Sequence, residues 1–301
     1  MVKFAAILVL AFSVVACSPQ EEDPPIKPDF KRAKAADLPH FVEKVTYPAT
    51  GGHGLWADLY QPDKDKKLGR CVVVLHGGGW IGGGRENMTP IAEQLAVNGF
   101  TVLNAEYTLA NKGTRWPIQL TDVQALVRYA RTQADKLGFD ANKIAALGIS
   151  AGGHLSSFLG STDVAEKDVS SHVQAVVSIS GIHDLRLKMT SEGEQYHIVE
   201  MLLSEDGKPS DTQREQASPV TFYSEKTAPT YFIQGDKDRL VPPDQSETAA
   251  AKLRGLKVEN QLVVVPGMGH GLLLDGGLQS KAFDAACDWL KKQLNATTPT
   301  Q

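Results

Sequence analysis

The sequence predicts an α/β fold, a mainly parallel sheet of about eight strands with helices on both faces. Short apolar runs alternate with helical patterns along most of the chain, which is typical of strands joined by crossover helices. Several runs are continuously apolar, as expected for strands buried on both faces. The chain has 301 residues, of which 42% are hydrophobic and 22% are charged, enough for one large domain.

Eight segments have the composition of strands: residues 41–47, 55–60, 71–75, 101–105, 144–149, 173–180, 230–234 and 258–265. Helical periodicity predicts helices at residues 87–98, 119–137, from 151 onward, 244–253 and 281–294. Residues 185–218 break the alternation between two strands. We interpret them as an excursion over the sheet edge, either a partial lid or a surface connection without a role.

The N-terminus has the features of an export signal. Lys3 precedes an apolar run over residues 4–15, which is too short to span a bilayer as a helix. The run ends at Val14-Val15-Ala16-Cys17, which resembles a bacterial lipoprotein signal with lipidation at Cys17. An ordinary secretory signal cut nearby is the alternative. Either signal predicts export, and lipidation would tether the protein to the periplasmic or cell-surface side of a membrane.

These features divide the chain into a signal peptide over residues 1–16, a flexible tether over 17–38, the main domain over 39–295 and a disordered tail over 296–301. The tether is assigned because it combines several prolines with few apolar residues. The tail is short and polar.

Charge and cysteine usage exclude some classes of protein. The formal net charge is −4 and no basic cluster is present, so nucleic-acid binding is not predicted. No cysteine or histidine spacing suits a structural zinc site, and no metal is predicted. Export would permit a disulfide between Cys71 and Cys287, but two buried free thiols are favoured, because Cys71 opens an apolar strand and Cys287 lies in an amphipathic helix.

The first candidate for chemistry is Ser150. Gly148-Ile149-Ser150-Ala151-Gly152 fits the pattern Gly-x-Ser-x-Gly and lies between a predicted strand and a predicted helix. A sharp turn there needs small neighbours and forces the serine into a strained conformation with its hydroxyl projecting from the sheet edge. The positive end of the helix favours a developing oxyanion.

A glycine-rich loop follows the strand over residues 71–75. His76-Gly77-Gly78-Gly79-Trp80 has the His-Gly-Gly-Gly form of an oxyanion loop. We predict that the backbone N–H groups of Gly78, Gly79 and Ala151 stabilise the oxyanion. His76 is interpreted as structural. Trp80 is predicted to wall the substrate pocket, with core packing as the alternative.

A serine nucleophile needs a base and an acid, and in this pattern they follow it in the order acid, then histidine. His270, flanked by glycines after the last predicted strand, is the predicted base. Asp236 and Asp238 both follow the preceding strand. Asp238 is favoured as the acid, because Asp236 suits a turn in which it binds backbone N–H groups. Among the other histidines, His154 is predicted to pack beneath Ser150.

Taken together, these motifs resemble the α/β-hydrolases near the bifunctional feruloyl and acetyl-xylan esterases, akin to hormone-sensitive-lipase-like carboxylesterases. The resemblance covers roughly residues 40–294. It implies that the aspartate three residues before Val-Pro, here Asp238, is the acid. Two departures are Ile149, where an acidic residue is frequent, and Gln234, where histidine is common.

The sequence therefore predicts a serine carboxylesterase that works through an acyl-enzyme without a cofactor. Its expected substrates are short-chain acyl or aryl esters, with acetyl or feruloyl esters of polysaccharide as one candidate. An amidase, formamidase or peptidase with the same triad is the nearest alternative, and a catalytically silent binding lipoprotein is a more distant one. The sequence does not predict an oligomeric state.

Overall fold

The computed structural model describes residues 36, 38–49, 52, 54–187, 194–272 and 276–295. The predicted signal peptide, the proposed lipidation site Cys17, nearly all of the tether and the C-terminal tail therefore lie outside the described residues. The same holds for residues 188–193 of the excursion. In the part of the chain that is described, no helix is long and apolar enough to cross a bilayer.

The centre of the molecule is one sheet of eight strands. In chain order the strands are β1 (Phe41–Pro48), β2 (Gly54–Tyr60), β3 (Cys71–Leu75), β4 (Thr101–Ala105), β5 (Ile144–Ile149), β6 (Ala175–Ile179), β7 (Thr230–Gly235) and β8 (Asn260–Val265). Their order across the sheet is β1-β2-β4-β3-β5-β6-β7-β8. β2 is antiparallel to both of its neighbours, and all other pairs are parallel.

Eight α-helices are described, and they flank the sheet. They are α1 (Thr89–Val97), α2 (Ile118–Thr132), α3 (Ala134–Leu137), α4 (Ala151–Ser161), α5 (Glu194–Leu203), α6 (Asp211–Gln216), α7 (Asp244–Gly255) and α8 (Leu278–Gln293). Two 3-10 turns, at Arg85–Met88 and Pro219–Phe222, complete the described elements. This arrangement is the α/β-hydrolase fold, as the sequence predicted.

Alternation along the central strands explains why both faces of the sheet are covered. On β3, Cys71, Val73 and Leu75 belong to one apolar cluster, whereas Val72 and Val74 belong to the other. Successive side chains of a strand point to opposite faces, so a continuously apolar strand contributes side chains to the core on each face. Helices must therefore cover each face.

The segment predicted as one helix over residues 119–137 is two helices. The N–H group of Gln133 donates to the carbonyls of both Tyr129 (3.0 Å) and Ala130 (3.2 Å). Such a shared bond is common where a helix ends. Gln133 has φ −98° and ψ 5°, outside the helical range, so α2 stops there and α3 adds one further turn.

Both cysteines that the structure describes are free and buried, as the sequence analysis favoured. Cys71 and Cys287 belong to different apolar clusters. Burial raises the pKa of Cys287 to about 12 and raises the pKa of Cys71 further. Both thiols are therefore protonated and unreactive at neutral pH.

Candidate active site

The sequence-predicted residues all follow strands at one edge of the sheet. The oxyanion loop (residues 76–80) follows β3, and the nucleophile elbow (residues 148–152) follows β5. The acid loop (residues 236–242) follows β7, and the base loop (residues 266–272) follows β8. Since these strands are parallel, their carboxyl ends meet at one edge, where ligands bind in open α/β sheets.

The nucleophile elbow is tightly closed around Ser150. This residue has φ 56° and ψ −119°, a conformation that costs on the order of 1–3 kcal/mol for a residue with a side chain. A Cβ atom on Gly148 would lie 2.2 Å from the Gly152 carbonyl carbon, and one on Gly152 would lie 2.1 Å from the Leu75 carbonyl oxygen. Both glycines are therefore required for the turn to close against β3.

Three backbone N–H groups near Ser150 match the predicted oxyanion donors. Gly78 has φ 116° and Gly79 has φ 59°, which turn the backbone of the oxyanion loop sharply. Ala151 is the first residue of α4, so its N–H group lacks an intrahelical acceptor. None of these three N–H groups donates a hydrogen bond to another residue that the structure describes.

The two other residues of the oxyanion loop are structural. His76 Nδ1 lies 2.7 Å from the Gly77 carbonyl oxygen, and its ring stacks on Tyr107 at 4.2 Å, which confirms its predicted role within the loop. Trp80 is completely buried and packs edge-on against His154. The prediction that Trp80 walls an accessible substrate pocket is therefore wrong, and the alternative of core packing is correct.

Asp238 is held by several hydrogen bonds. Its Oδ1 accepts from the N–H groups of Leu240 (3.0 Å) and Val241 (2.8 Å), and its Oδ2 accepts from Gln234 Nε2 (3.2 Å). His270 Nδ1 lies 2.9 Å from Oδ2. Burial acts to raise the pKa of Asp238, but the hydrogen bond and charge of His270, with the Val241 N–H, lower it overall. Asp238 is thus an ionised partner for an imidazole.

Asp236 has the other role predicted for it. Its Oδ1 accepts a hydrogen bond of 2.7 Å from the N–H group of Gly267, so it ties the acid loop to the base loop. It makes no hydrogen bond with His270 in the described structure. Of the two candidate acids, only Asp238 contacts the predicted base.

The base loop folds back over the end of β7, towards the centre of the sheet. Lys237 N donates to the Met268 carbonyl (3.0 Å), and a Cβ atom on Gly235 would lie 2.1 Å from that same oxygen. His270 is exposed, whereas Ser150 is buried. Ser150 Oγ makes no hydrogen bond to His270 within the described structure.

Two residues around Asp238 were not predicted as parts of the site. Gln234 Oε1 accepts from Ser246 (2.9 Å), which orients its amide towards Asp238. Ser180 follows β6, is completely buried, has φ 47°, and its hydroxyl helps to lower the Asp238 pKa. The sequence placed Ser180 inside a predicted strand, over residues 173–180, whereas β6 ends at Ile179 and Ser180 is the first residue after it.

The excursion between β6 and β7 packs partly onto the oxyanion loop. Val199 and Leu202 of α5 are buried in the core, and a Cβ atom on Gly79 would lie 2.8 Å from Ile198 Cγ2. The segment therefore covers the edge of the site, as a partial lid would. Its role as a lid remains a prediction.

A described cavity of about 460 Å³ is lined by none of these residues. Its lining is uncharged and includes Trp116, Phe158 and Phe222. Among the described residues, no cluster of three or more His, Cys, Asp or Glu could hold a metal ion.

Comparison with known proteins identifies esterases. A family model described as BD-FAE matches residues 57–253, more than half of the chain. Esterase LipC of Mycobacterium tuberculosis is 31% identical over 229 residues, a match that covers 71% of this chain and 56% of LipC. Ethyl acetate hydrolase of Pseudomonas putida is 26% identical over 261 residues, covering 83% of this chain and 81% of that protein. The chain thus spans little more than half the length of LipC.

A solved structure is also similar. The acetyl ester-xyloside bifunctional hydrolase from Caldicellulosiruptor lactoaceticus has a TM-score of 0.69 and 25% sequence identity. The match covers 80% of this chain and 88% of that chain.

Proposed function

We propose that this chain, which belongs to the BD-FAE family of α/β-hydrolases, is a serine carboxylesterase. Two proteins that are similar to it are named as an esterase and an ethyl acetate hydrolase. Ser150 is the nucleophile, His270 the general base and Asp238 the acid that orients the base. The observation that carries the proposal is the Asp238–His270 hydrogen bond of 2.9 Å, at the same sheet edge as the strained Ser150.

The proposed reaction proceeds through an acyl-enzyme. Ser150 Oγ forms a bond to the ester carbonyl carbon while its proton passes to His270 Nε2. The resulting oxyanion accepts hydrogen bonds from the N–H groups of Gly78, Gly79 and Ala151. The bond to the alcohol then breaks and His270 protonates the departing oxygen. His270 then deprotonates a water molecule, which attacks the acyl carbon. The bond to Ser150 Oγ breaks, His270 returns the proton to Oγ, and the carboxylic acid is released.

The base loop must bring His270 into hydrogen-bonding reach of Ser150 in this reaction. Hydrogen bonds between a nucleophile and its base are often long in enzymes without substrate and tighten in the complex. Asp238, which accepts from the Nδ1–H group, leaves Nε2 as the basic nitrogen. This tautomer is the one that the reaction needs.

We propose short-chain acyl esters as the substrates, with acetyl or feruloyl esters of polysaccharide as one candidate. Two similar proteins support this choice, because they are named as an ethyl acetate hydrolase and an acetyl ester-xyloside hydrolase. The nearest alternative is an amidase, formamidase or peptidase, since the same triad attacks amides.

A panel of p-nitrophenyl esters, beside acetylated xylan, methyl ferulate and an aryl amide, tests the function. We expect kcat/KM to be highest for acetate or butyrate. A preference for octanoate would contradict the short-chain proposal, and faster cleavage of the amide would favour an amidase. A folded protein without hydrolysis of any substrate would contradict the enzyme proposal and favour the silent binder.

A pair of serine variants on one helix tests the nucleophile. We expect Ser150→Ala to lower kcat by about 10⁴-fold or more. Ser156→Ala is the matched control, because Ser156 is buried on α4 and its hydroxyl has no hydrogen-bond partner. Equal activity of the two variants would show that Ser150 is not the nucleophile.

We further propose that the protein is exported and lipidated at Cys17. The motif Val14-Val15-Ala16-Cys17 supports this proposal. In cells fed labelled palmitate, the parent protein should incorporate label and Cys17→Ala should not. Absence of label in the parent protein would instead favour an ordinary secretory signal.

A further inference from the structure

A chain of hydrogen bonds links the oxyanion loop to the helix that carries the nucleophile. Trp80 Nε1 lies 3.2 Å from His154 Nδ1, and His154 Nε2 lies 2.8 Å from the carbonyl oxygen of Ala217. Trp80 ends the oxyanion loop, His154 lies one turn into α4, and Ala217 belongs to the excursion. Three segments far apart in sequence therefore meet at one imidazole.

The partners of His154 determine its protonation state. A carbonyl oxygen only accepts hydrogen bonds, so Nε2 carries a proton towards Ala217. An indole N–H group only donates, so Nδ1 must be the unprotonated acceptor for Trp80. Burial lowers the pKa of His154 to about 4, which keeps the ring neutral and this tautomer fixed near neutral pH.

Trp80 needs such support because of its backbone. It has φ 62°, a left-handed conformation that residues with a side chain rarely adopt. Its carbonyl oxygen also accepts a hydrogen bond of 2.8 Å from Ala110 N. A strained residue persists only where its surroundings fix it, and here its indole and its carbonyl are both fixed.

His154 also contacts the nucleophile elbow directly. Its backbone N–H group donates to the Ser150 carbonyl at 3.0 Å, within the first turn of α4. One residue therefore bonds the elbow through its backbone and the oxyanion loop through its side chain. A shift of Trp80 relative to α4 would displace the N–H groups of Gly78 and Gly79 from Ser150.

We infer that His154 and Trp80 are positioning residues, which hold the oxyanion donors in register with Ser150. This inference rests on the proposed esterase function. Donors of an oxyanion hole act mainly in the transition state, and removing one of them costs about 10²–10³-fold in kcat. Displacing two donors slightly should thus lower kcat while leaving KM nearly unchanged.

Two substitutions of His154 separate this role from simple packing. The side-chain oxygen of His154→Asn can occupy the position of Nδ1 and accept from Trp80, but it cannot reach Ala217. The side-chain amide of His154→Gln can occupy the position of Nε2 and donate to Ala217, but it offers nothing to Trp80. Both remove the same aromatic ring from the core, so their packing losses are similar.

The experiment measures kcat and KM for p-nitrophenyl acetate, and the urea-unfolding midpoint, for both His154 variants and Trp80→Phe. We expect His154→Gln and Trp80→Phe to lower kcat by about 10-fold or more with KM within about threefold. His154→Asn should keep kcat within about threefold of the parent protein, although its unfolding midpoint falls as much as that of His154→Gln.

Two results would overturn the inference. In the first, His154→Gln and Trp80→Phe fold and keep the kcat of the parent protein. In the second, all three variants lose kcat in proportion to the fall in their unfolding midpoints. If the folded parent protein hydrolyses no ester, the proposed function fails first and the inference fails with it. An active parent with fully active variants refutes the positioning role alone.

Discussion

The two halves of the candidate site are packed very differently. In the nucleophile elbow, Cβ atoms on Gly148 and Gly152 would lie within 2.2 Å of backbone atoms. In the base loop, a Cβ atom on Gly267, Gly269 or Gly271 would meet no atom of the described residues within 4 Å. The serine and its oxyanion donors are thus set in a rigid frame. His270 lies on an open loop, which is held by its hydrogen bond to Asp238 and by the bond from Lys237 N to the Met268 carbonyl.

This difference suggests a division of labour. Stabilising an oxyanion depends on donors placed in advance, which a packed frame provides. A base must accept a proton, rotate slightly and return it, which an exposed ring on an open loop permits. Enlarging a glycine should therefore destabilise the protein in the elbow but not in the base loop.

The largest expected effect distinguishes the two aspartates of the acid loop. Asp238→Asn removes the charge that orients His270, and we expect kcat to fall by about 10⁴-fold. Asp236→Asn is the matched control, because Asp236 accepts from the Gly267 N–H group and pairs with Lys237 but makes no hydrogen bond with His270 in the described structure. Steady-state kinetics with p-nitrophenyl acetate checks both, and a larger loss in Asp236→Asn would reverse the assignment.

A glycine pair tests the contrast in packing directly. Gly152→Ala places a methyl group 2.1 Å from the Leu75 carbonyl oxygen, so the free energy of unfolding should fall by about 1–3 kcal/mol. Gly269→Ala meets no atom within 4 Å in the part of the chain that is described, and Gly269 lacks a positive φ, so the substitution should raise that free energy by about 0.4–1 kcal/mol. Urea unfolding measures both values. Equal destabilisation would show that the base loop is as constrained as the elbow.

The two halves should also lose stability in different pH ranges. Burial lowers the pKa of His154 to about 4, below the usual value of about 6.5 in an unfolded chain. The unfolded state therefore binds more protons below about pH 6.5, and stability falls as the pH drops towards 4. The pKa of Asp238 is lowered too, so its contribution is lost only below about pH 4.

Urea unfolding between about pH 7 and pH 4 checks this separation. His154→Asn should reduce the slope of stability against pH by up to about 1.4 kcal/mol per pH unit. Asp238→Asn should leave the slope in that range unchanged, whatever its effect on absolute stability. A slope that depends on Asp238 instead would place the pH sensitivity in the acid loop.

Local pattern was sufficient to predict the strands and the motifs that follow them. The strand β3 and the sharp turn at Ser150 could be predicted, because each is determined by residues close together in the sequence. The tautomer of His154 and the burial of Trp80 were not predictable, since they depend on a contact between residues 74 positions apart. The break at Gln133 was missed for a different reason, because helical periodicity continues across it.

The central claim is that Ser150 is the activated nucleophile of this site. Treatment with a fluorophosphonate, followed by peptide mapping by mass spectrometry, tests it most directly. We expect one adduct, on the peptide that contains Ser150, and no adduct in folded Ser150→Ala. A folded parent protein that remains unlabelled, or an adduct on another residue that persists in Ser150→Ala, would contradict the account.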